Sequence, residues 1–139
     1  MALVFPYLLV FPYLTVADST EALAFYEQAF GADVFHTVMD DDGKRLAPSR
    51  FTIEDAVIMI TEHFPELPTG VNPPNEIGGT PVTIRLELSS RQFVNQIFAG
   101  APQHGAEVID APSLKPWGEY YGRLKDPFGH VWAFGALAD

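Results

Sequence analysis

The second half of this 139-residue chain repeats the order of elements predicted for the first half, and this repeat limits the fold more than any other feature. In each half a predicted strand leads into a helix, and three further strands follow the glycine that ends the helix. The strings GADV at 31–34 and GAEV at 105–108 mark the same point in both halves, where the chain leaves the helix and enters a strand. The sequence therefore predicts two βαβββ modules in a single domain that spans residues 1–139.

The first module is predicted to cover residues 9–63. Apolar and polar side chains alternate from Tyr13 to Val16, which indicates a strand with one buried face. Asp18 with Glu21 three positions later predicts the start of a helix, and Gly31 predicts its end. The remaining predicted strands are one from Val34 to the turn at 40–43, one at 44–53 and one at 56–62.

The second module is predicted to cover residues 80–135, after a Pro/Gly-rich connector at 64–79. Alternation at 81–88 indicates a strand, and Ser89 or Ser90 is positioned to cap the next helix. The sequence then predicts a strand from 107, a loop at 112–118, and strands at 120–124 and 131–134.

Charge and composition exclude several classes of protein. The chain has eight basic and eighteen acidic residues, a net charge of −10, so no basic surface is available for the phosphates of nucleic acids. It has no cysteine, which suits a cytoplasmic protein and excludes disulfides and thiolate metal sites.

The N-terminal segment 2–16 is uncharged and mostly apolar, but it has no basic start, and Pro6 and Pro12 would break a helix. We therefore expect a strand there, not a signal peptide or a membrane span. The string VFPYL occurs twice in this segment, at 4–8 and 10–14, and one copy is expected to form the first core strand.

Four strings carry a resemblance to a known family: LTVAD at 14–18, AFYEQAFG at 24–31, GAEV at 105–108 and DPFGHVW at 126–132. Their order and spacing resemble the glyoxalase/bleomycin resistance protein/dioxygenase (vicinal oxygen chelate) superfamily, and most closely its PhnB-like branch. The resemblance implies an α+β fold in which paired βαβββ modules form a curved, cup-shaped mixed β-sheet, with helices on the outer face and a small-molecule ligand in the cup. It also implies a homodimer.

Metal-using members of the superfamily carry a His or Glu on the first and last strands of each module. Counting along this chain, those positions fall at Phe11, Met59, Thr83 and Ala133, none of which is a His or a carboxylate. The four histidines, His36, His63, His104 and His130, lie in different elements and form no paired set. We therefore predict no metal and no other cofactor.

Arg85 is the leading candidate for ligand binding, because it shares the cup-facing side of its strand with Thr83 and Glu87. A guanidinium there is suited to a carboxylate, phosphate or enolate in fork geometry. The alternative is that Arg85 pairs with Glu87 and has no further role.

Other residues predicted to line the cup are Tyr13, Arg50 and Met59 in the first module and Trp117 and Tyr121 in the second. Relatives of the branch often carry a His and a Glu around positions 48 and 50, where this chain has Pro48 and Arg50.

Three hypotheses of function follow, in descending order. The first is a metal-independent protein that binds a small aromatic or amphiphilic molecule in the cup. The second is a lyase, isomerase or dioxygenase of the same fold that acts through Arg85 and Glu87 or through a metal at shifted positions. The third is a regulatory module whose cup is filled by its own side chains, Phe11 and Met59 included. An open cup favours the first two hypotheses and a packed cup favours the third.

Overall fold

The computed structural model describes residues 8–36, 49–64, 66 and 70–137. The predicted turn at 40–43, the first part of the predicted strand at 44–53 and most of the first VFPYL copy lie outside these residues. Within them the chain forms the predicted βαβββ order twice, so the α+β prediction is confirmed. The elements are β1 Tyr13–Val16, α1 Ser19–Phe30, β2 Asp33–His36, β3 Ser49–Ile53, β4 Ala56–Glu62, α2 Pro74–Ile77, β5 Thr83–Glu87, α3 Arg91–Gly100, a 3₁₀ helix Ala101–His104, β6 Glu107–Leu114, β7 Tyr120–Lys125 and β8 Val131–Ala136.

Each module forms its own four-stranded mixed sheet, with the strand orders β1-β4-β3-β2 and β5-β8-β7-β6. The first and last strands of each module pair in parallel, and the remaining pairs are antiparallel. The hydrogen-bonded strands therefore make two open sheets rather than one continuous sheet. None of the helices formed by the described residues has the length and apolar composition needed to cross a membrane.

Polar side chains at the helix ends set where α1 and α3 begin. The Asp18 carboxylate accepts a hydrogen bond from the Glu21 backbone N–H at 3.1 Å, and Gly31 ends α1 in the left-handed conformation at φ 67°. Of the two serines predicted as caps for α3, Ser90 is the cap, since its hydroxyl accepts from the Phe93 N–H at 3.1 Å. Ser89 instead donates its backbone N–H to Glu54 at 2.7 Å.

Three details of the second module and the connector differ from prediction. β6 continues through Pro112 to Leu114, so the loop predicted at 112–118 begins at residue 115, three residues later than expected. A strand can include Pro112 here because β6 is an edge strand with two irregularities in its pairing. At such a position the backbone N–H that proline lacks is not needed for a hydrogen bond between strands. A 3₁₀ turn separates α3 from Gly105, and the connector contains the short helix α2.

The side chains that face the helices form one core that both modules share. Leu14, Val16, Trp132 and Phe134 are buried, as the alternation predicts. Val82 has the same parity in the strand predicted at 81–88, but it is 62% exposed because β5 begins only at Thr83. Aromatic rings fill the centre of this core, namely those of Tyr26, Phe30, Phe51, Trp132 and Phe134.

A buried carboxylate joins the two modules at this core. Asp126, only 3% exposed, accepts hydrogen bonds at Oδ2 from the Tyr26 hydroxyl at 2.6 Å and from Trp132 Nε1 at 2.9 Å. Its Oδ1 accepts from the backbone N–H groups of Phe128 at 2.9 Å and His130 at 3.0 Å. Tyr26 belongs to α1 and its ring stacks on Phe51, with centroids 4.9 Å apart. One carboxylate therefore fixes a helix of the first module to a strand of the second.

Asp126→Asn is expected to lower the free energy of unfolding by about 2–4 kcal/mol, because an amide nitrogen placed at Oδ2 cannot accept from both Tyr26 and Trp132. Tyr26→Phe removes a single donor and is expected to cost about 1–2 kcal/mol. Urea titration measures both values. Asp55→Asn, the same change at an exposed turn, is the control and should stay within about 0.5 kcal/mol of the unmodified protein. An Asp126→Asn variant as stable as this control would contradict the role assigned to the carboxylate.

Burial raises the pKa of Tyr26 well above its ordinary value, and the Asp126 carboxylate and their hydrogen bond raise it further. The unfolded chain loses this proton near pH 10 while the folded chain keeps it, so the stabilisation is present below that pH and is lost as the pH rises toward the folded pKa. In an ultraviolet titration of the five tyrosines, one is expected to ionise only as the protein unfolds. Tyr26→Phe should remove that late step, and its persistence in the variant would assign it to another tyrosine.

Candidate functional site

The side of the second sheet that carries no helix presents charged and aromatic side chains to solvent. Strand pairing aligns Arg85 with Ala133 and Arg123 across β5, β8 and β7, and aligns Glu87 with Gly135 and Tyr121 in the next row. Residues two apart on a strand point to the same side, so both rows share this helix-free face. Thr83, Arg85 and Glu87 are exposed on it, as predicted for a cup-facing strand side.

Arg85 is held by two carboxylates and an aromatic ring. Its Nε donates to Glu87 Oε1 at 2.9 Å, while Nη2 donates both to Glu87 and to Glu119 Oε2 at 3.0 Å. The guanidinium carbon lies 4.6 Å from the centre of the Tyr121 ring, within the range of a cation–π contact. The pairing of Arg85 with Glu87 that the sequence left open is therefore present, and Glu119 and Tyr121 extend it.

Gly135 provides the space in which the guanidinium lies. A Cβ on this residue would come within 2.7 Å of Arg85 Nη2, 2.9 Å of the Tyr120 carbonyl oxygen and 3.0 Å of Tyr121 Cβ. Because Gly135 stands between Glu87 and Tyr121 in the pairing of the strands, its missing side chain lets Arg85 cross β8 and reach the β6–β7 turn.

The β6–β7 turn supplies a second cation and a second aromatic ring. Lys115 Nζ lies 4.9 Å from the centre of the Tyr121 ring and donates to Asp110 Oδ2 at 2.7 Å. Trp117 is 63% exposed, and its ring centre is 6.3 Å from that of Tyr121. We call Arg85, Glu87, Lys115, Trp117, Glu119 and Tyr121 the Arg85 cluster.

Sequence reasoning identified four of the six members of the Arg85 cluster and missed Lys115 and Glu119. Both residues lie in the turn closed by the hydrogen bond from the Lys115 N–H to the Glu119 carbonyl at 2.7 Å. Glu119 precedes Tyr121 by two residues, so the alternation of strand side chains was the one signal that could have placed it on this face.

Three other predicted site residues lie together on the first sheet. Strand pairing aligns Tyr13 with Met59 and Met59 with Arg50, which makes one row across β1, β4 and β3. Tyr13 is 52% exposed and Arg50 is exposed, so the helix-free side of this sheet is also open. Among the contacts found for the described residues, none joins this row to the Arg85 cluster.

The positions at which the superfamily places metal ligands do not suit a metal ion in this chain. Phe11 is 39% exposed, Ala133 is buried, and neither they nor Met59 and Thr83 offer an imidazole or a carboxylate. Over the described ranges, no group of three or more His, Cys, Asp or Glu side chains is placed to hold an ion. The ring of His130 instead lies 3.1 Å from the carbonyl oxygen of Thr15, a contact between the modules.

Comparison with known proteins agrees with this architecture. Residues 6–134 match the model of the Glyoxalase/Bleomycin resistance protein/Dioxygenase superfamily. The uncharacterized protein Rv0887c of Mycobacterium tuberculosis is 37% identical over 125 residues, which is 89% of this chain and 71% of that protein.

Solved structures with the same fold are more distant in sequence. Protein PA1353 of Pseudomonas aeruginosa has a TM-score of 0.71 at 20% identity, with 96% of this chain and 100% of that one covered. The PhnB protein of Bacillus cereus has a TM-score of 0.67 at 14% identity, with 91% and 98% covered. The fosfomycin resistance protein FosX of Listeria monocytogenes, solved as a mutant with Mn(II) and 1S,2S-dihydroxypropylphosphonic acid, has a TM-score of 0.66 at 17% identity, with 94% and 90% covered.

Gly135→Ala is expected to lower the free energy of unfolding by about 1–3 kcal/mol, because the new methyl group meets a backbone oxygen and Arg85 Nη2 at less than 3 Å. In an Arg85→Ala background the cost should be smaller, since one of the two close contacts is gone. Gly100→Ala is the control and should not destabilise the protein, because a Cβ there meets nothing within 4 Å and Gly100 has helical dihedral angles that suit alanine. An equal cost of Gly135→Ala in both backgrounds would show that the glycine does not make room for Arg85.

Proposed function

We propose that this chain, which belongs to the Glyoxalase/Bleomycin resistance protein/Dioxygenase superfamily, is a metal-independent protein that binds a small aromatic molecule on its helix-free faces, chiefly at the Arg85 cluster. The observation that carries the proposal is the exposure of Trp117 beside Tyr121, next to an arginine already held in a fixed geometry. Aromatic side chains together with a few polar groups held in fixed positions are the usual lining of a small-molecule site.

The row Tyr13, Met59 and Arg50 would provide the other wall of the cup, and Thr83 would extend the wall formed by the second sheet. The open state of both faces favours ligand binding over a cup filled by its own side chains. Tyr13 is half-exposed, Glu87 is exposed, and Phe11 is partly exposed rather than packed inside. The regulatory-module hypothesis needs Phe11 and Met59 to fill the cup, and because both are partly exposed it is ranked last.

An enzyme of the lyase, isomerase or dioxygenase type is the second candidate, and the likeness to FosX solved with Mn(II) is the observation that favours it. That likeness extends to the fold alone at 17% identity. The side chains at Phe11, Met59, Thr83 and Ala133 argue against a metal bound in the usual way. We therefore rank binding without chemistry first.

We further propose that the chain acts in the cytoplasm as a homodimer. Leu8, Val10 and Leu9 are 95%, 90% and 57% exposed, and a second copy is the simplest way to cover such an apolar segment. In this proposal two copies also bring helix-free faces together and close the cup.

The proposal predicts that aromatic compounds found by screening for a rise in melting temperature bind at the Arg85 cluster. Trp117→Ala and Tyr121→Ala should each weaken such a ligand by about two- to tenfold, the amount expected for one lost aromatic contact. Isothermal titration calorimetry measures the change. Ile77→Ala is the matched control, because Ile77 is 62% exposed, like Trp117, but lies on α2. Affinity should also be the same after treatment with EDTA.

Two results would contradict the proposal. Ligands whose affinity is unaffected by both aromatic substitutions would place the site elsewhere. Binding that disappears with EDTA and returns with Mn(II) would show that a metal is required and would make the enzyme hypothesis the leading one.

A further inference from the structure

We infer that the ligand of the Arg85 cluster is a planar aromatic cation, an inference that rests on the proposed function. The sequence alone suggested the opposite charge, because an exposed arginine on a cup-facing strand is suited to a carboxylate or a phosphate. The contacts of Arg85 and Lys115 in the folded chain reverse that expectation.

Both cations of the Arg85 cluster already have carboxylate partners, in the cluster itself or at the neighbouring Asp110. Arg85 is bonded to Glu87 and Glu119, and Lys115 is bonded to Asp110. Three carboxylates thus surround the two cations nearest the Tyr121 ring, in a chain whose net charge is −10. Arg123 lies on the same face in the row of Arg85 and Ala133, outside this cluster. An anionic ligand would have to break existing ion pairs and then lie beside the freed carboxylates, where like charges repel it.

The guanidinium of Arg85 shows what kind of group this site accommodates. It is a planar cation placed over the Tyr121 ring, bonded to two carboxylates, in the space left by Gly135. The Arg85 side chain is about one third exposed and is long enough to turn outward into solvent. A flat, positively charged aromatic molecule can replace it, stacking on Tyr121 and Trp117 with its cationic group at Glu87 and Glu119.

This arrangement makes Arg85 a competitor of the ligand rather than its anchor, and that distinction can be tested. Arg85→Met keeps the aliphatic stem but removes the competing charge, so it should tighten the binding of a planar cation by about two- to fivefold. Glu87→Gln and Glu119→Gln should each weaken it by a similar factor. Glu107→Gln is the control, because Glu107 is an exposed acid on the same sheet that pairs with Lys125 at 3.5 Å, away from Tyr121.

The experiment compares two flat three-ring probes of opposite charge, proflavine as the cation and anthracene-2-carboxylate as the anion. Both are titrated at pH 7 and low salt against the whole chain and each variant, with probe fluorescence as the readout. Melting temperatures establish that every variant is folded. The expected result is that proflavine binds more tightly than anthracene-2-carboxylate and that its binding is lost in Tyr121→Ala. Proflavine should bind more tightly to Arg85→Met, more weakly to Glu87→Gln and Glu119→Gln, and with unchanged affinity to Glu107→Gln.

The remaining outcomes separate this inference from the proposed function. Tighter binding of anthracene-2-carboxylate, weakened by Arg85→Met and by Tyr121→Ala, would overturn the cation assignment while supporting the site. Proflavine binding that falls equally in all three glutamine variants would indicate general attraction to an acidic surface and would overturn the inference. If neither probe binds, or if Tyr121→Ala leaves the binding of both probes unchanged, both proposals are overturned.

Discussion

The buried carboxylate of Asp126 is the interaction on which the arrangement of the two modules depends. A carboxylate removed from water is costly unless its lone pairs are bonded, and here four donors from three different segments meet that need. The Tyr26 hydroxyl is the donor from the first module, and its ring contacts the rings of both Phe51 and Trp132. The hydrogen bonds and the aromatic core therefore fix the same relative position of α1 and β8, and a shift between the modules would disrupt both.

This shared core determines which side of each sheet is left for function. The helix side is occupied by apolar residues from both modules, so strand alternation sends the polar and charged residues of β5 and β7 to the opposite side. The helix-free face is thus a consequence of how the modules join, and its side chains can change at little cost to the core. On this face Arg85 and Lys115 pair with carboxylates, because exposed cations on an acidic chain readily find them.

Local sequence patterns were sufficient for most of the fold. The limits of β4 match the prediction at both ends, α1 begins at the predicted cap, and Gly31 ends it. The choice of Ser90 over Ser89 depends on Glu54, a residue 35 positions away from Ser89, and no local pattern contains that information. The extension of β6 through Pro112 depends on its place at the sheet edge, which is a property of topology rather than of the strand's own sequence.

The sequence predicted the site residues on β5 and β7, but it did not predict which charged side chains pair with one another. Strand alternation placed Arg85 and Glu87 on one face, and Tyr121 was predicted as part of the cup lining. The position of Glu119 and Lys115, in contrast, depends on how the β6–β7 turn folds back across the sheet. Gly135 is the least visible of these determinants, since a glycine in a strand normally indicates only a weak or bent segment. Here the strand order places it between Glu87 and Tyr121, and its missing Cβ lets the guanidinium reach Glu119. The ion pairing of Arg85 with Glu119 therefore depends on a residue that itself carries no charge and no side chain.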